Sequence, residues 1–96
     1  MKPSESLQLH RDRVRLIVAR NRAENARVFG SVIRGEDTEN SDLDVIVDPT
    51  AAATLMDIAA IQVDLELLLG VPVDVVTPNA LPDKFRDRVL AEAVPV

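Results

Sequence analysis

The sequence contains no cysteine, tryptophan or tyrosine, and its only aromatic residues are Phe29 and Phe85. The lack of cysteine excludes a disulfide framework, thiol redox chemistry and a thiolate zinc site. Because only two of 96 residues are aromatic, the core must be aliphatic. Little aromatic surface is left to stack on a nucleobase, so we expect weak discrimination between bases.

Long apolar runs are also missing. The sequence has no 18-residue apolar run and no recognisable signal peptide, which favours a cytoplasmic protein that does not enter a membrane. The only histidine, His10, falls in a predicted N-terminal helix, where a surface position is expected. Ninety-six residues that are 47% hydrophobic predict one small domain spanning residues 1–96.

The chain lacks an excess of positive charge, since its formal net charge is −5. A broad nucleic-acid-binding surface is therefore not expected. The charge is uneven: residues 1–34 hold eight Lys or Arg and three acids, whereas residues 35–96 hold three and thirteen. The arginines of the first part either lie near a phosphate site or form a solvated helix face: Arg11, Arg13, Arg15, Arg20 and Arg22.

A Gly-Ser pair at the end of a short apolar segment is typical of a phosphate-binding turn. Gly30 allows a ligand to approach the main chain closely, and Ser31 stands where the N-cap of a short helix is expected. Free N–H groups, a hydroxyl and a helix N-terminus together suit a phosphate. Arg34 adds a fixed positive charge, and Gly35 is expected to end the helix.

Ten residues separate Ser31 from an Asp-x-Asp pair that opens a β-branched apolar run. In a strand, Asp42 and Asp44 would project from one face, roughly 6.5–7 Å apart, while alternate residues enter the core. Two carboxylates aimed the same way need a cation, and hard oxygen ligands favour Mg²⁺ with substrate phosphates. Taken singly, the Gly-Ser turn, the acids and Arg34 could each be ordinary surface features. Their order and spacing together indicate nucleoside triphosphate chemistry.

Periodicity and turn residues predict a small α/β domain, in which helices pack on a mixed sheet of about three strands. The elements are expected as a helix over 4–21, a strand over 26–29, a short helix over 31–34, a strand over 43–47, a helix from about 51 to 69, a strand over 71–77 and a helix from 81. In the last helix, Phe85 and Val89 are expected to pack inward and Arg86 to face solvent.

The helix from about 51 to 69 has two apolar stripes, and one helix of so small a domain is hard to bury all round. Leu55, Ile58, Ile61, Leu65 and Leu68 form the first stripe, and Met56, Ala60, Val63 and Leu67 form the second. Either both stripes belong to the core, or the second meets another protein or another copy.

A third acid, Asp74, stands inside the last apolar run. Such an acid requires a cation or a donor nearby, because burial alone would raise its pKa. The alternative is an acid on an edge strand that faces water.

The string from Gly30 to Val47 resembles the minimal nucleotidyltransferase (MNT) domains of the superfamily related to DNA polymerase β. Ile33 stands where family members commonly carry Ala, a difference expected to affect packing only. The resemblance extends over roughly residues 10 to 94 and implies a third carboxylate on the next strand, which Asp74 matches. It implies that Asp74 is the general base and a further metal ligand beside Asp42 and Asp44, with one or two Mg²⁺ ions and ATP as the nucleotide.

The resemblance also implies a partner. MNT proteins often pair with a HEPN-domain ribonuclease toxin, act as its antitoxin and are associated with AMP transfer to a toxin tyrosine. Two alternatives stay open: a non-catalytic antitoxin that neutralises its toxin by binding, and a nucleotidyltransferase that modifies a small molecule held by a separate subunit.

Overall fold

The computed structural model describes residues 1–96. Three α-helices and four strands follow one another along the chain: α1 (Pro3–Arg20), β1 (Ala23–Phe29), β2 (Leu43–Pro49), α2 (Leu55–Leu69), β3 (Val73–Val76), α3 (Asp83–Glu92) and β4 (Val94–Pro95). Short 3-10 helices span Gly30–Val32 and Pro78–Ala80. No helix is long and apolar enough to cross a membrane.

The strands form one mixed sheet in the order β3-β2-β1-β4. Strand β1 pairs antiparallel with β2 and β4, and β2 pairs parallel with β3. The α/β class and the mixed sheet are confirmed, but the sheet has four strands where about three were expected. The additional strand was missed because it has two residues, one of them Pro95, which cannot donate a ladder hydrogen bond.

The core lies between one face of the sheet and the antiparallel pair α1 and α2. Leu43, Val45 and Val47 of β2 are fully buried, as alternation predicted. Ile46, which points to the other face, is also fully buried, so both faces of β2 are covered at its centre. At one end of the helix pair the Ser6 hydroxyl donates to the Leu69 carbonyl (2.7 Å), which fixes how α1 and α2 align.

Two elements start three or more residues away from their predicted positions. Strand β1 begins at Ala23, not at residue 26, and includes an irregular pairing where Asn25 takes a positive φ of 54°. Helix α2 begins at Leu55, not near residue 51, because Thr54 and Asp57 cap each other's backbone N–H groups. This capping box defines the helix start more strongly than the helix propensity of the preceding alanines.

Only part of the first apolar stripe of α2 is buried. Ile61 and Leu65 are fully buried, but Leu55, assigned to the same stripe, is 88% exposed at the first turn. In the second stripe, Met56, Val63 and Leu67 are exposed. The interpretation that both stripes belong to the core is therefore wrong.

Helix α3 is less buried than its sequence suggested. None of its residues is fully buried, and Phe85 is 40% exposed, with Lys84 and Arg88 near its ring. Arg86, expected to face solvent, donates instead to the carbonyls of Pro78 and Leu81 (2.9 and 2.8 Å). Those carbonyls belong to the turn before α3, and the Arg86 side chain folds back onto this turn because its guanidinium can donate to both of them.

The free edge of β3 is protected by side chains of α2. The N–H of Val73 donates to the Glu66 carboxylate (3.0 Å), and the N–H of Val75 points at the Gln62 amide oxygen (3.5 Å). An edge strand otherwise leaves such donors unpaired.

We therefore expect Glu66→Ala to lower the free energy of unfolding by about 1 kcal/mol, the net value of one hydrogen bond. Urea titration measures it, with Glu92→Ala as the exposed control that should change little.

Candidate active site

The chain leaves β1 through a tight turn at Gly30, whose φ is +79°. A Cβ atom at this position would lie 2.4 Å from Oδ2 of Asp44, so a side chain here would displace the Asp44 carboxylate, and the positive φ itself favours glycine. The following 3-10 helix starts at Gly30, with Phe29 as the N-cap. The expectation that Ser31 is the N-cap is therefore wrong: because Gly30 permits a positive φ, the chain turns earlier and the N-cap lies two residues before Ser31.

The turn presents donors that the protein does not use. Its hydrogen bonds run from the N–H groups of Ile33 and Arg34 to the Gly30 carbonyl (3.1 and 3.3 Å). The N–H groups of Ser31 and Val32, at the first turn of the 3-10 helix, have no acceptor within it. Unpaired N–H groups beside a hydroxyl are a suitable binding surface for an anion.

Arg34 is exposed and pairs with Glu36 (3.3 Å). An ion pair between two exposed side chains is weak, so the guanidinium remains available to a ligand. Arg34 also lies close enough to Asp44 to oppose the rise in the pKa of that carboxyl.

The acids meet where β2 and β3 begin. In the parallel pairing Asp44 lies opposite Asp74, and on the other side Asp44 lies opposite Phe29 of β1. Strand β2 begins at Leu43, as predicted, and Asp42 therefore lies immediately before the strand. Asp42 and Asp74 are exposed and Asp44 is half-buried. Asp74 therefore lies on an edge strand and contacts water, as the alternative interpretation expected, and it also lies opposite Asp44.

The three acids interact electrostatically. Burial raises the pKa of the Asp44 carboxyl, and the negative charges of Asp74 and Asp42 raise it further. The three carboxylates nevertheless do not converge into a ready three-ligand cluster. Since Asp42 and Asp74 are exposed, their side chains are free to rotate toward Asp44.

The carboxylate oxygens at this end of the strands are hard ligands of the kind that Mg²⁺ prefers. The neighbouring negative charges also make the ionised form of the half-buried Asp44 unfavourable, and a bound cation would relieve that repulsion. The chemistry of the donors and the crowding of charge around Asp44 are the observations in favour of this fit.

Asp37 was not singled out from the sequence, yet it is the buried acid of the loop that joins Gly30 to the acidic pair. Its carboxylate accepts from the Ser4 N–H at the start of α1 (2.9 Å). Within the same loop the Ser41 hydroxyl accepts from the Thr38 N–H (2.8 Å), as expected for a residue that fixes the loop's end. No sequence signal separates Asp37 from the other acids of this polar loop, because its partner is 33 residues away.

The Ser4 N–H lowers the pKa of Asp37, so its ionised form stabilises the fold. We expect Asp37→Ala to cost about 1 kcal/mol at neutral pH. A depressed pKa contributes stability that is present above the unfolded value of 3.8 and lost as pH falls through the folded value. The difference in melting temperature between the wild type and Asp37→Ala should therefore shrink as pH falls below about 3.8. A difference that stays constant down to pH 2 would contradict the assignment.

Comparison with known proteins identifies the family to which the chain belongs. The nucleotidyltransferase domain family model matches residues 11–96. A protein of Methanocaldococcus jannaschii, provisionally named a protein adenylyltransferase, is 38% identical over 80 residues, which cover 83% of this chain and 86% of the relative. The protein adenylyltransferase MntA of Thermococcus cleftensis is 41% identical over 67 residues, which cover 70% of this chain and 68% of that protein.

Solved structures share the fold. One solved structure is of a protein provisionally assigned as a minimal nucleotidyltransferase. Its TM-score is 0.87 at 45% identity, and the match covers 97% of this chain and 95% of that one. A toxin–antitoxin crystal structure with AMP-PNP has a TM-score of 0.73 at 19% identity, covering 88% of this chain and 69% of that one. The second likeness concerns the fold alone. From the family match, the relatives and the first of these structures, the chain belongs to the nucleotidyltransferase domain family and is a minimal nucleotidyltransferase.

Proposed function

We propose that the protein is a Mg²⁺-dependent adenylyltransferase that transfers AMP from ATP to a hydroxyl of a partner protein and thereby acts as an antitoxin. The observation that carries the proposal is the placement of Asp44 opposite Asp74, with Asp42 and the Gly30 turn beside them. One glycine turn suited to phosphate and three carboxylates at one strand end form the arrangement that nucleotidyl transfer requires.

The residues have distinct proposed roles. The main chain at Gly30, the Ser31 hydroxyl and Arg34 hold the phosphates of ATP. Asp42, Asp44 and Asp74 would hold one or two Mg²⁺ ions, which when bound neutralise the triphosphate and the departing pyrophosphate.

Asp74 is the proposed general base, because it is exposed and can reach a hydroxyl that arrives from solvent. The acceptor oxygen gives its proton to Asp74 and bonds to the α-phosphorus, while the bond from that phosphorus to the β-phosphate bridging oxygen breaks. The products are an adenylylated acceptor and pyrophosphate.

The proposed acceptor is a tyrosine of a HEPN-domain ribonuclease toxin, with the reaction located in the cytoplasm. Relatives named protein adenylyltransferase and a toxin–antitoxin structure of the same fold support a protein acceptor. No direct contact with nucleic acid or membrane is proposed, in keeping with the net charge of −5.

The proposal is tested with ATP labelled at the α-phosphate, Mg²⁺ and the purified product of the adjacent gene. We expect label on that protein with the wild type and none with Asp42→Asn/Asp44→Asn. Asp87→Asn, an exposed acid on α3, is the matched control and should leave transfer unchanged. If the double variant binds the partner protein tightly and neutralises it fully, and no sample contains label, the enzymatic proposal is wrong and the protein is an antitoxin that acts by binding.

The exposed second stripe of α2 favours a protein partner over a small-molecule acceptor, because a drug-sized acceptor would not cover it. Label on a small molecule such as an aminoglycoside, and none on the adjacent gene's product, would instead support a small-molecule nucleotidyltransferase.

A further inference from the structure

Helix α2 has a row of apolar side chains on its outer side that the domain itself does not bury. Met56, Ala60, Val63 and Leu67 are spaced four, three and four residues apart, which aligns them along one side of the helix. Met56 is 78% exposed and Leu67 is 81% exposed. Contiguous exposed apolar side chains of this kind mark interaction sites on soluble proteins.

Helix α1, the antiparallel neighbour of α2, repeats the same spacing on its own outer side. A kink at His10, whose φ is −129°, interrupts α1, and the row after the kink consists of Arg13, Leu16 and Arg20, of which Leu16 is an exposed leucine. Arg13 and Arg20 line a shallow depression together with Leu67 of α2. The two rows together are called the α1–α2 outer face below.

The positive charge of this face is only weakly paired within the chain. Arg13 forms no ion pair, and Arg20 pairs with Asp64, which lines the same depression, at 3.5 Å. An ion pair between partly exposed side chains is weak, so the Arg20 guanidinium remains available to a partner. The other acids of α2 already have partners. Asp57 pairs with Arg22 (2.9 Å), and Glu66 accepts from the N–H of Val73. The outer row of α2 contains no charged residue at all.

A second copy of this chain is a poor match for such a face. Symmetric packing would place Arg13 and Arg20 either against the same arginines or against the uncharged row of α2. Both arrangements remove Arg13 from water without a counter-charge, which is unfavourable. An acidic partner avoids this cost and gains from electrostatic complementarity.

We propose that the α1–α2 outer face docks an amphipathic helix of the acceptor protein, whose apolar side packs between the two rows and whose flanking acids pair with Arg13 and Arg20. The inference rests on the proposed function for the identity of the partner. Asp44 projects from the opposite face of β2 to Val45, which packs toward α1 and α2. Docking and chemistry therefore use different faces, and variants can separate them.

The test measures binding of the adjacent gene's purified product by calorimetry. Leu67→Glu is expected to weaken binding at least about 30-fold, the effect of losing a central apolar contact. Arg13→Glu should weaken it about tenfold and reduce its dependence on salt, whereas Arg13→Lys should retain most of the affinity. The matched control is Leu55→Glu, a residue 88% exposed but about 120° around α2 from Leu67, which should bind like the wild type.

The outcomes separate this inference from the proposed function. Loss of binding in Leu67→Glu with no label transfer by the wild type would support the docking face and overturn the enzyme. Full transfer and wild-type affinity in Leu67→Glu would overturn the docking face and leave the enzyme intact. A wild-type dimer in sedimentation that Leu67→Glu breaks and Leu55→Glu does not would assign the face to a second copy and overturn the acidic partner. Neither binding nor label with the wild type would overturn both.

Discussion

Replacing Asp44 with Asn is expected to abolish nucleotidyl transfer and, at the same time, to raise the melting temperature of the ligand-free protein. Both effects have one cause. Burial and the neighbouring Asp74 and Asp42 raise the pKa of the Asp44 carboxyl, so its ionised form is unfavourable in the folded protein until a cation binds. The amide of Asn removes that penalty and with it a ligand for the cation.

The expected loss of transfer is about 1,000-fold, since a bound metal supplies several kcal/mol of transition-state stabilisation and about 1.4 kcal/mol corresponds to a factor of ten. The gain in stability follows from the sign of the pKa shift. The pKa of Asp44 is higher in the folded protein than in the unfolded chain, so it lowers the free energy of unfolding only at pH values where the unfolded chain has an ionised Asp44. This destabilisation therefore begins near pH 3.8 and grows until the pH passes the pKa of the folded protein.

Thermal melts from pH 3 to pH 8 check this prediction. The melting temperature of Asp44→Asn should equal that of the wild type at pH 3 and exceed it at neutral pH. Millimolar Mg²⁺ should raise the melting temperature of the wild type more than that of the variant. An equal loss of transfer in Asp87→Asn, or a lower melting temperature in Asp44→Asn at pH 7, would show that the loss of activity comes from unfolding.

The elements with a regular hydrophobic pattern could be predicted from the sequence. Alternation along β2 predicted that Leu43, Val45 and Val47 face the core, and all three are buried. Each of these positions is determined by local geometry together with one buried face. The same is true of the Gly30 turn and of Asp44, whose spacing implied that they meet at one strand end.

What could not be predicted depends on partners distant in sequence or on very short elements. Asp37 is buried because the N-terminus of α1 lies above it, and Arg86 folds back because its guanidinium donates to carbonyls of the turn before α3. Strand β4 exists only because β1 offers it an edge. The start of α2, in contrast, could have been predicted from the sequence, because Thr54 and Asp57 form a capping box. The helix propensity of the alanines before Thr54 led instead to an earlier predicted start.

The second prediction with a large effect concerns Gly30. Gly30→Ala is expected to reduce nucleotidyl transfer about 100-fold while costing little more stability than an equivalent substitution elsewhere. The added Cβ would stand 2.4 Å from Oδ2 of Asp44. Because that atom is the end of a side chain, the contact is relieved when Asp44 rotates away. The fold therefore tolerates the change, but the carboxylate leaves the position that the chemistry requires, and small displacements of that kind are costly to catalysis.

Gly70→Ala provides the matched control. Gly70 has a similar positive φ of 69°, and no atom lies within 4 Å of where its Cβ would be. Both variants should lose about 1 kcal/mol from the positive φ alone, measured by urea unfolding. Subtracting the Gly70→Ala result from the Gly30→Ala result isolates the contact with Asp44. If Gly70→Ala keeps full transfer and Gly30→Ala loses it at comparable stability, the orientation of Asp44 controls the reaction. Equal activity in the two variants would mean that Asp44 does not need the position this turn gives it.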